Sequence, residues 1–400
     1  MTPTIHRARW IMTEPGQWLE NGWVTIRDHR IHEVERSSGP PHATCRVMDH
    51  GDGVLMPALV NAHTHVALSD SARSHAAKGF VPWVQALISE RNRQSPEDAI
   101  RTVQNGVKML KDAGTGLVGE FGPHVPAAGV LESAGLHATV WLECLGNDRD
   151  LPPLPENSES VRNAYAGHAP HTTSPTLLKR VQAADHLLGQ RFCLHLAESR
   201  EEATFLQTGR GVWADFLTHM GIDFSTWGSY GKRPVQMALE LGFLDQNTLA
   251  VHLLQINASE MAEFAQTGAQ VCLCPRSNQR LHRRLPDIRG FLKAGIRPAL
   301  GTDSLASVST LNLFDEMRFI AEHYPGLDPD VILGFGTVNG AAALGYPDLG
   351  SLQPGNRSAM NYVDLEAMNP KQAAETLVST ENLQVHPISD DAPSGGHDAF

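Results

Sequence analysis

The chain has 400 residues, of which 41% are hydrophobic and 19% are charged, and its formal net charge is -12. This composition is typical of a globular protein with a large core, and the negative charge argues against nucleic acid and an anionic membrane surface as partners. No stretch approaches the roughly 20 apolar residues that a membrane-spanning helix needs. The N-terminus lacks the apolar segment of a signal peptide, and the five cysteines have no disulfide-framework spacing, so we expect the reducing cytoplasm.

Residues 1–54 consist of short runs of alternating apolar and polar side chains, separated by turn residues. Trp23-Val24-Thr25-Ile26 is one such run, and the pattern predicts a small β-rich module. Short runs within 350–384 could complete this module from the other end of the chain. Residues 385–400 are polar and rich in turn formers, which predicts a disordered tail.

Residues 55–349 show a different pattern, in which short apolar runs alternate with helical patterns. The helical patterns place apolar residues three and four positions apart, at 99–111, 175–188 and 259–266. Strand-helix alternation repeated about eight times predicts a parallel sheet. Since a closed barrel of this kind needs roughly 250 residues, we predict an α/β fold, a (β/α)8 TIM barrel.

The first barrel strand carries a pair of histidines at its end. An apolar run at 53–60 predicts a buried strand that leads into His63-Thr64-His65. Both imidazoles would project toward the same mouth of the sheet, where their neutral nitrogens can hold one divalent metal. One such pair is weak evidence in a chain with 20 histidines, and a surface coincidence is the alternative.

Further reactive side chains recur where later strands are predicted to end. They are His168 on strand four, His195 on strand five with Glu198 three residues later, His252 on strand six and Asp303 on strand eight. The carboxyl ends of barrel strands meet at one face, where the chemistry of such barrels takes place. The joint occurrence therefore favours one site over scattered core histidines.

Three neutral imidazoles and one carboxylate would leave a coordination position open for water. A divalent metal lowers the pKa of that water from about 15.7 toward about 7. Asp303 could ligate through one oxygen and take the water proton through the other. Glu198 could carry protons to the substrate, and His252 could hydrogen-bond the hydroxide or the developing tetrahedral oxygen.

These motifs resemble the amidohydrolase superfamily: His63-x-His65, His195-Leu196-Ala197-Glu198, His252 and Gly301-Thr302-Asp303-Ser304. Others are typical of its cytosine deaminase-like branch of aminohydrolases and chlorohydrolases: Cys274-Pro275-Arg276-Ser277-Asn278, Gly350-Ser351-Leu352 and Ala169-Pro170. The branch includes adenosylhomocysteine- and aminodeoxyfutalosine-type deaminases, and the resemblance covers about residues 5–365.

The resemblance implies a barrel that carries a small composite β-sandwich, built from residues 1–54 and 350–384. It also implies one divalent metal, usually zinc and in some members iron, with these ligands: His63, His65, His195 and Asp303. Glu198 would protonate a ring nitrogen of the substrate, and His252 would touch the hydroxide. His168 falls where related deaminases place a substrate-contacting histidine.

Three of the departures from the family pattern concern the predicted site. Pro82 precedes Trp83, where adenosylhomocysteine-type deaminases have the Glu that binds ribose, so that role is not carried over. His171 stands where related enzymes often have Tyr. Strand four does not end in Lys, so a carbamate-bridged binuclear site is not expected.

Several residues near the predicted mouth have two interpretations each. Trp83 could stack on a flat substrate or pack within a helix. Arg276 could hold a carboxylate or a ribose hydroxyl, or form a salt bridge on the rim. Glu120 and Glu143, at the ends of strands two and three, could reach polar substrate atoms or cap neighbouring helices.

We interpret the sequence as that of a metal-dependent aminohydrolase that removes ammonia from an aminated heterocycle, with a purine or purine-nucleoside-like compound as the favoured substrate. The same residues could instead expel chloride or an alkylamine from a triazine, or open a cyclic amide. A non-catalytic metal-binding protein is a rival from another class, but the presence of every ligand together with Glu198 argues against it. The chain could act as a homodimer.

Overall fold

The computed structural model describes residues 3–36, 45–70, 79–122, 127–228 and 231–388. Its strands are β1 (Thr4–Glu14), β2 (Gln17–Arg27), β3 (Arg30–Arg36), β4 (Arg46–Asp49), β5 (Val54–Pro57), β6 (Leu59–Thr64), β7 (Thr115–Gly122), β8 (His137–Cys144), β9 (Val161–Gly167), β10 (Phe192–Leu196), β11 (Thr248–His252), β12 (Gln270–Leu273), β13 (Ala299–Leu300), β14 (Met360–Asp364) and β15 (Gln384–Ile388).

Its helices are α1 (Phe80–Arg91), α2 (Pro96–Asp112), α3 (Ala127–Ser133), α4 (Pro175–Leu187), α5 (Arg200–Thr208), α6 (Val212–His219), α7 (Pro234–Glu240), α8 (Ala258–Thr267), α9 (Pro275–His282), α10 (Ile288–Lys293), α11 (Leu313–His323), α12 (Pro329–Phe335), α13 (Val338–Leu344) and α14 (Pro370–Ser379). A short 3-10 turn, Val66–Leu68, follows β6. Among the described helices, none combines the length and the apolar character that crossing a bilayer requires.

An eight-stranded parallel sheet forms the centre of the molecule. Its strands follow chain order from β6 to β13, and a parallel bridge between Thr64 and Asp303 joins the two ends of the sheet. The amide of Asp303 donates to the carbonyl of His63 at 3.0 Å. The sheet is thus closed by the chain that follows β13, and the predicted (β/α)8 barrel is confirmed.

A buried side-chain pair reinforces this closure. The amide nitrogen of Asn61 donates to the Thr302 hydroxyl at 2.8 Å, and the backbone amide of Thr302 donates back to the Asn61 side-chain oxygen at 3.1 Å. Both residues are fully buried. Because each polar group finds a partner, the seam between first and last strand carries no desolvation penalty from these groups.

The predicted helical patterns at 99–111, 175–188 and 259–266 correspond to α2, α4 and α8. The sequence also supplies the start signals of these helices. Ser95 and Ser174 accept hydrogen bonds from the first turns of α2 and α4, and each is followed by proline at the first helical position. The apolar face of each helix packs inward.

A seven-stranded sheet combines the two ends of the chain. Its order is β15-β14-β5-β1-β2-β3, with β4 paired to β1. Since β14 lies antiparallel to β5, the chain beyond the barrel completes a layer that the first strands begin. The predicted composite β-domain is therefore present, as a single mixed sheet.

Two predicted boundaries need correction. The apolar run at 53–60 is not one strand, because β5 ends at Pro57, which has no amide proton to donate, and β6 starts the barrel at Leu59. Residues 385–388 are not a disordered tail, because the backbone of β15 pairs with β14 from Gln384 to Ile388. Such a ladder needs no apolar sequence, which is why composition missed it. The rest of the predicted tail, 389–400, lies outside the described residues.

The seam pair generates a stability prediction. Asn61→Ala removes both hydrogen bonds and leaves the buried amide of Thr302 without its partner, so we expect the free energy of unfolding to fall by about 1–3 kcal/mol. Urea unfolding followed by circular dichroism measures this. The exposed Gln207→Ala on α5 is the control and should stay within about 0.5 kcal/mol of wild type. An unchanged midpoint for Asn61→Ala would contradict the stabilising role of the pair.

Candidate active site

A cavity of about 290 Å³ lies at the carboxyl ends of the barrel strands. Its floor is polar and consists of His65, His195, Glu198, His252 and Asp303. Its walls are mostly apolar and come largely from α1 and α6, with these side chains: Phe80, Trp83, Val84, Leu87, Ile88, Trp213 and Phe216. A small, mostly apolar cavity with a few convergent polar groups is the usual form of a ligand site.

The three predicted histidine ligands converge beneath this cavity. The Nε2 atom of His63 is 3.2 Å from Nε2 of His65 and 3.2 Å from Nε2 of His195. The rings come from the ends of β6 and β10 and from the residue just after β6, and two of them are almost fully buried, with His63 at 0% and His195 at 6% exposure.

Hydrogen bonds and burial keep these imidazoles in the form that binds metal. Nδ1 of His195 donates to the carbonyl of His168 at 2.7 Å, so its Nε2 presents a lone pair to the cluster. His65 hydrogen-bonds the backbone of Phe121. Burial and mutual repulsion lower the pKa of His65 to about 3 and hold the pKa of His63 well below its usual value, so both are neutral near pH 7.

The spacing of these nitrogens fits a divalent metal ion. Imidazole nitrogens bound at 2.0–2.1 Å to one tetrahedral ion lie about 3.3–3.4 Å apart, close to the 3.2 Å observed. The cluster of His63, His65 and His195 can therefore hold a metal ion.

Asp303 lies beside the cluster in a left-handed conformation, with φ of 62°. Ser277 donates to its Oδ2 at 2.6 Å, while its Oδ1 is 3.7 Å from Nε2 of His65. Burial raises the pKa of this carboxyl to about 6, against the opposing hydrogen bond from Ser277. One oxygen is thus fixed by the protein, and the other faces the metal cluster.

Glu198 lies in a turn held by a second, buried carboxylate. Glu202 accepts from the backbone amides of Ala197 at 3.0 Å and Glu198 at 2.7 Å, and it forms a capping box with Ser199 at the start of α5. Burial raises the pKa of Glu202 to about 8. Ala197 has φ of 53°, so this turn departs from the strand directly and places Glu198 at the cavity.

Two imidazoles flank the carboxylate of Glu198. Nε2 of His282 donates to Oε1 at 3.0 Å, and Nε2 of His252 is 3.8 Å from the same oxygen. Burial raises the pKa of Glu198, but His252 and His282 outweigh it and hold this pKa below its usual range. The amide nitrogen Nδ2 of Asn278 donates to Nδ1 of His252 at 3.2 Å. The proton of the His252 ring is therefore assigned to Nε2, which faces the cavity.

Helix α9 therefore contacts all three predicted catalytic side chains. Ser277 binds Asp303, Asn278 binds His252 and His282 binds Glu198. The sequence motifs above do not include His282. Its position four residues after Asn278, which places both side chains on one face of the helix, could have identified it.

Comparison with known proteins agrees with this architecture. The model of the Amidohydrolase family matches residues 54–387. The chain belongs to the amidohydrolase family. The 5-methylthioadenosine/S-adenosylhomocysteine deaminase of Moorella thermoacetica is 29% identical over 391 residues, which cover 91% of this chain and 86% of that protein.

Solved structures share the fold. Helicobacter pylori aminofutalosine deaminase in complex with methylthio-coformycin has a TM-score of 0.82 at 22% identity, covering 95% of this chain and 97% of that one. An adenosine deaminase from Xanthomonas campestris with bound zinc has a TM-score of 0.76 at 24% identity, covering 94% and 89%.

Two of the predicted substrate contacts line the cavity of this amidohydrolase. His168 donates from Nδ1 to the hydroxyl of Thr172 at 2.6 Å. Trp83 lies within α1 and donates from Nε1 to the carbonyl of Ala306 at 3.0 Å. It thus packs in a helix and also faces the cavity, so its two interpretations are compatible. His171 also lines the cavity, where its ring centroid lies 4.5 Å from that of Trp213.

Arg276 and Glu120 lie outside the cavity lining. Nη1 of Arg276 is 3.6 Å from the buried carboxylate of Glu316, and the residue is absent from the described cavity lining, which matches the rim salt bridge. Glu120 accepts from the amide of Val66 with both oxygens, at 3.1 and 3.0 Å. It therefore caps the turn after β6, whereas Glu143 lines the cavity.

The convergence of imidazoles generates a prediction about metal. His65→Ala removes one ligand, so we expect metal affinity to fall by at least about 100-fold, more than for loss of a supporting residue. Competition with a chelator and elemental analysis measure this without any substrate. His171→Ala, a buried cavity histidine outside the cluster, should retain metal. Equal affinity in the wild type and His65→Ala would exclude His65 as a ligand.

Proposed function

We propose that this amidohydrolase is a metal-dependent hydrolytic deaminase of an aminated heterocycle, with a purine or purine-nucleoside-like compound as its substrate. The observation that carries the proposal is the position of Glu198. Its carboxylate lines the same cavity as the metal cluster and is held at 3.0 Å by His282. A proton carrier beside a hydrolytic metal site is what loss of ammonia from a ring requires.

We propose that the metal is zinc, with iron as the other candidate, and that the ligands are His63, His65, His195 and Asp303. When bound, such an ion supplies hydroxide at neutral pH by lowering the pKa of water. The bound zinc of the Xanthomonas campestris adenosine deaminase supports this choice. The 3.2 Å spacing of the imidazole nitrogens supports the histidine ligands.

The protein residues then have separate tasks. Asp303, whose Oδ2 is held by Ser277, takes one proton of the attacking water on its carboxylate. Glu198, which is ionised because its pKa is lowered, takes the other proton of the water and passes it to the ring nitrogen next to the carbon that bears the amine. The proton on Nε2 of His252 hydrogen-bonds the oxygen that becomes negative as the tetrahedral centre forms. The proton held by Asp303 then goes to the amine, which leaves as ammonia when that centre collapses.

The cavity supports a flat, largely apolar substrate. Phe80 and Trp83 are nearly parallel, with ring centroids 5.8 Å apart and an interplanar angle of 13°, and both line the cavity. Aromatic walls of this kind suit a heterocyclic ring. The names of the curated relatives, which are deaminases of adenosine derivatives, favour a purine nucleoside over a free base.

A homodimer and a cytoplasmic location stay predictions. All five cysteines are free, which is consistent with a reducing compartment. Sedimentation of the purified chain would test the dimer.

A panel assay tests the reaction class. Metal-loaded protein is mixed with adenosine, 5-methylthioadenosine, guanine, cytosine, a chlorinated triazine and a cyclic amide, and the release of ammonia, chloride or acid is followed. We expect ammonia from a purine nucleoside. Release of chloride, or ring opening without ammonia, would replace the deaminase with the corresponding hydrolase.

Glu198→Gln tests the proton carrier. The amide keeps the size of the side chain but cannot transfer the proton, so we expect full metal content and a fall in kcat of about 100-fold or more. Ammonia release and elemental analysis on the same sample separate the two effects. Glu201→Gln, in the first turn of α5, is the control and should behave like the wild type. Near-normal turnover by Glu198→Gln would remove Glu198 from the mechanism.

Asp303→Ala tests the carboxylate at the end of the barrel. Because Asp303 is proposed both to ligate and to take a proton, we expect loss of metal affinity together with loss of turnover. Asp364→Ala, on the exposed side of β14, should change neither. Intact activity in Asp303→Ala would mean that another group performs both tasks.

A further inference from the structure

Among the described residues that line the cavity, Glu143 is the one whose carboxylate has a buried oxygen without a hydrogen bond. Glu143, the penultimate residue of β8, lines the cavity, and its Oε1 is buried without a hydrogen bond. An unmet acceptor of this kind destabilises the site that contains it. A buried carboxylate oxygen beside a ligand cavity, with no donor from the part of the chain that the structure describes, points to a donor on the ligand.

Glu143 lies close to, but outside, the metal cluster. Its carboxylate, a nitrogen of His168 and a nitrogen of His195 lie within 4.8 Å of one another. These three side chains do not make a second metal site, because both nitrogens of His195 are committed: Nδ1 to the His168 carbonyl and Nε2 to the cluster. Nδ1 of His168 is likewise bound to Thr172.

The neighbouring histidine is also an acceptor. Thr172 donates its hydroxyl proton to the carbonyl of Ala169 at 3.2 Å, so it accepts from Nδ1 of His168. The remaining nitrogen of His168, Nε2, then carries a lone pair. Glu143 and His168 thus present adjacent acceptors, and a matching ligand must carry two adjacent donors.

The two donors could belong to a cationic amine or to two neutral hydroxyl groups. Arg91 lines the same cavity, and its positive charge disfavours a cationic amine beside Glu143. Hydroxyl groups carry no charge, and a vicinal diol offers two donors at a fixed spacing.

We propose that Glu143 binds the vicinal 2′ and 3′ hydroxyl groups of a ribose on the substrate, with His168 beside it. The proposal rests on the deaminase function argued above and assigns its substrate to ribonucleosides. Glu143 reaches the cavity from β8, on the far side of β9 from the strand that leads to Glu198. A ring at Glu198 therefore directs its sugar toward a different wall of the cavity.

The test compares adenosine with 2′-deoxyadenosine and 3′-deoxyadenosine on metal-loaded wild type and on Glu143→Gln. We expect the wild type to favour adenosine by about 10- to 100-fold in kcat/KM, as loss of a hydrogen bond to a charged group predicts. Glu143→Gln should lose most of that preference, mainly through a higher KM for adenosine. Its activity on each deoxynucleoside, which keeps one of the two hydroxyls, should fall by a smaller factor than its activity on adenosine.

Glu120→Gln is the matched control, since it changes a buried glutamate on the neighbouring strand β7 that caps a turn outside the cavity. Any effect there should be equal for all three nucleosides. Glu143→Asp, which keeps the charge on a shorter side chain, should retain part of the preference. An equal loss on ribose and deoxyribose substrates in Glu143→Gln would overturn the proposal, as would a wild type that does not distinguish them.

Binding measurements separate this proposal from the deaminase function. Calorimetry with inosine and 2′-deoxyinosine needs no turnover. If the wild type prefers inosine and Glu143→Gln does not, Glu143 binds the diol even if no panel substrate loses ammonia. If ammonia is released but neither assay depends on the hydroxyls, the deaminase stands and the role of Glu143 is refuted.

Discussion

The active site depends on the closure of the barrel between its first and last strands. The hydrogen bond from the amide of Asp303 to the carbonyl of His63 fixes the register of this seam, and Asn61 with Thr302 locks it from the buried side. A slip of one residue in a strand turns its side chains to the opposite face. The imidazole of His63 and the carboxylate of Asp303 therefore lie at the same site only because this seam has one register.

Around the cluster, the protein satisfies its catalytic groups from a single helix. Ser277, Asn278 and His282 on α9 hold Asp303, His252 and Glu198 respectively. Hydrogen bonds to such buried groups are strong because the local dielectric is low. Glu202 likewise accepts hydrogen bonds from backbone amides of the turn after β10. The proposed catalytic groups are thus oriented by the protein itself.

The sequence predicted those parts of the site that repeat with the strands. His63, His65, His195, His252 and Asp303 stand at or just beyond strand ends, and closure of a parallel barrel brings such ends together whatever the helices do. The sequence did not predict side chains whose position depends on a contact between distant parts of the chain, because no periodic pattern encodes such a contact.

His282 is the clearest example of such a contact. It reaches Glu198 from 84 residues away along the chain, and only the packing of α9 against the barrel mouth brings the two together. Likewise, Arg276 belongs to the same helix, yet its side chain points to Glu316 rather than to the cavity. The split of the run at 53–60 into β5 and β6 depended on a second sheet that accepts the first half. Local sequence cannot tell which of two sheets a short apolar run will join.

The order of polar and apolar side chains along the cavity indicates which kind of substrate it fits. The proposed reacting groups lie on the floor of the cavity, where apolar walls strengthen charge interactions. Glu143, His168 and Arg91 interrupt the apolar wall, whereas Leu145, two residues beyond Glu143, is 39% exposed. A molecule with an aminated ring, a pair of hydroxyl groups and an apolar end matches this order of environments. A free heterocyclic base would leave the carboxylate of Glu143 unpaired in the wall, and that unmet acceptor would count against its binding.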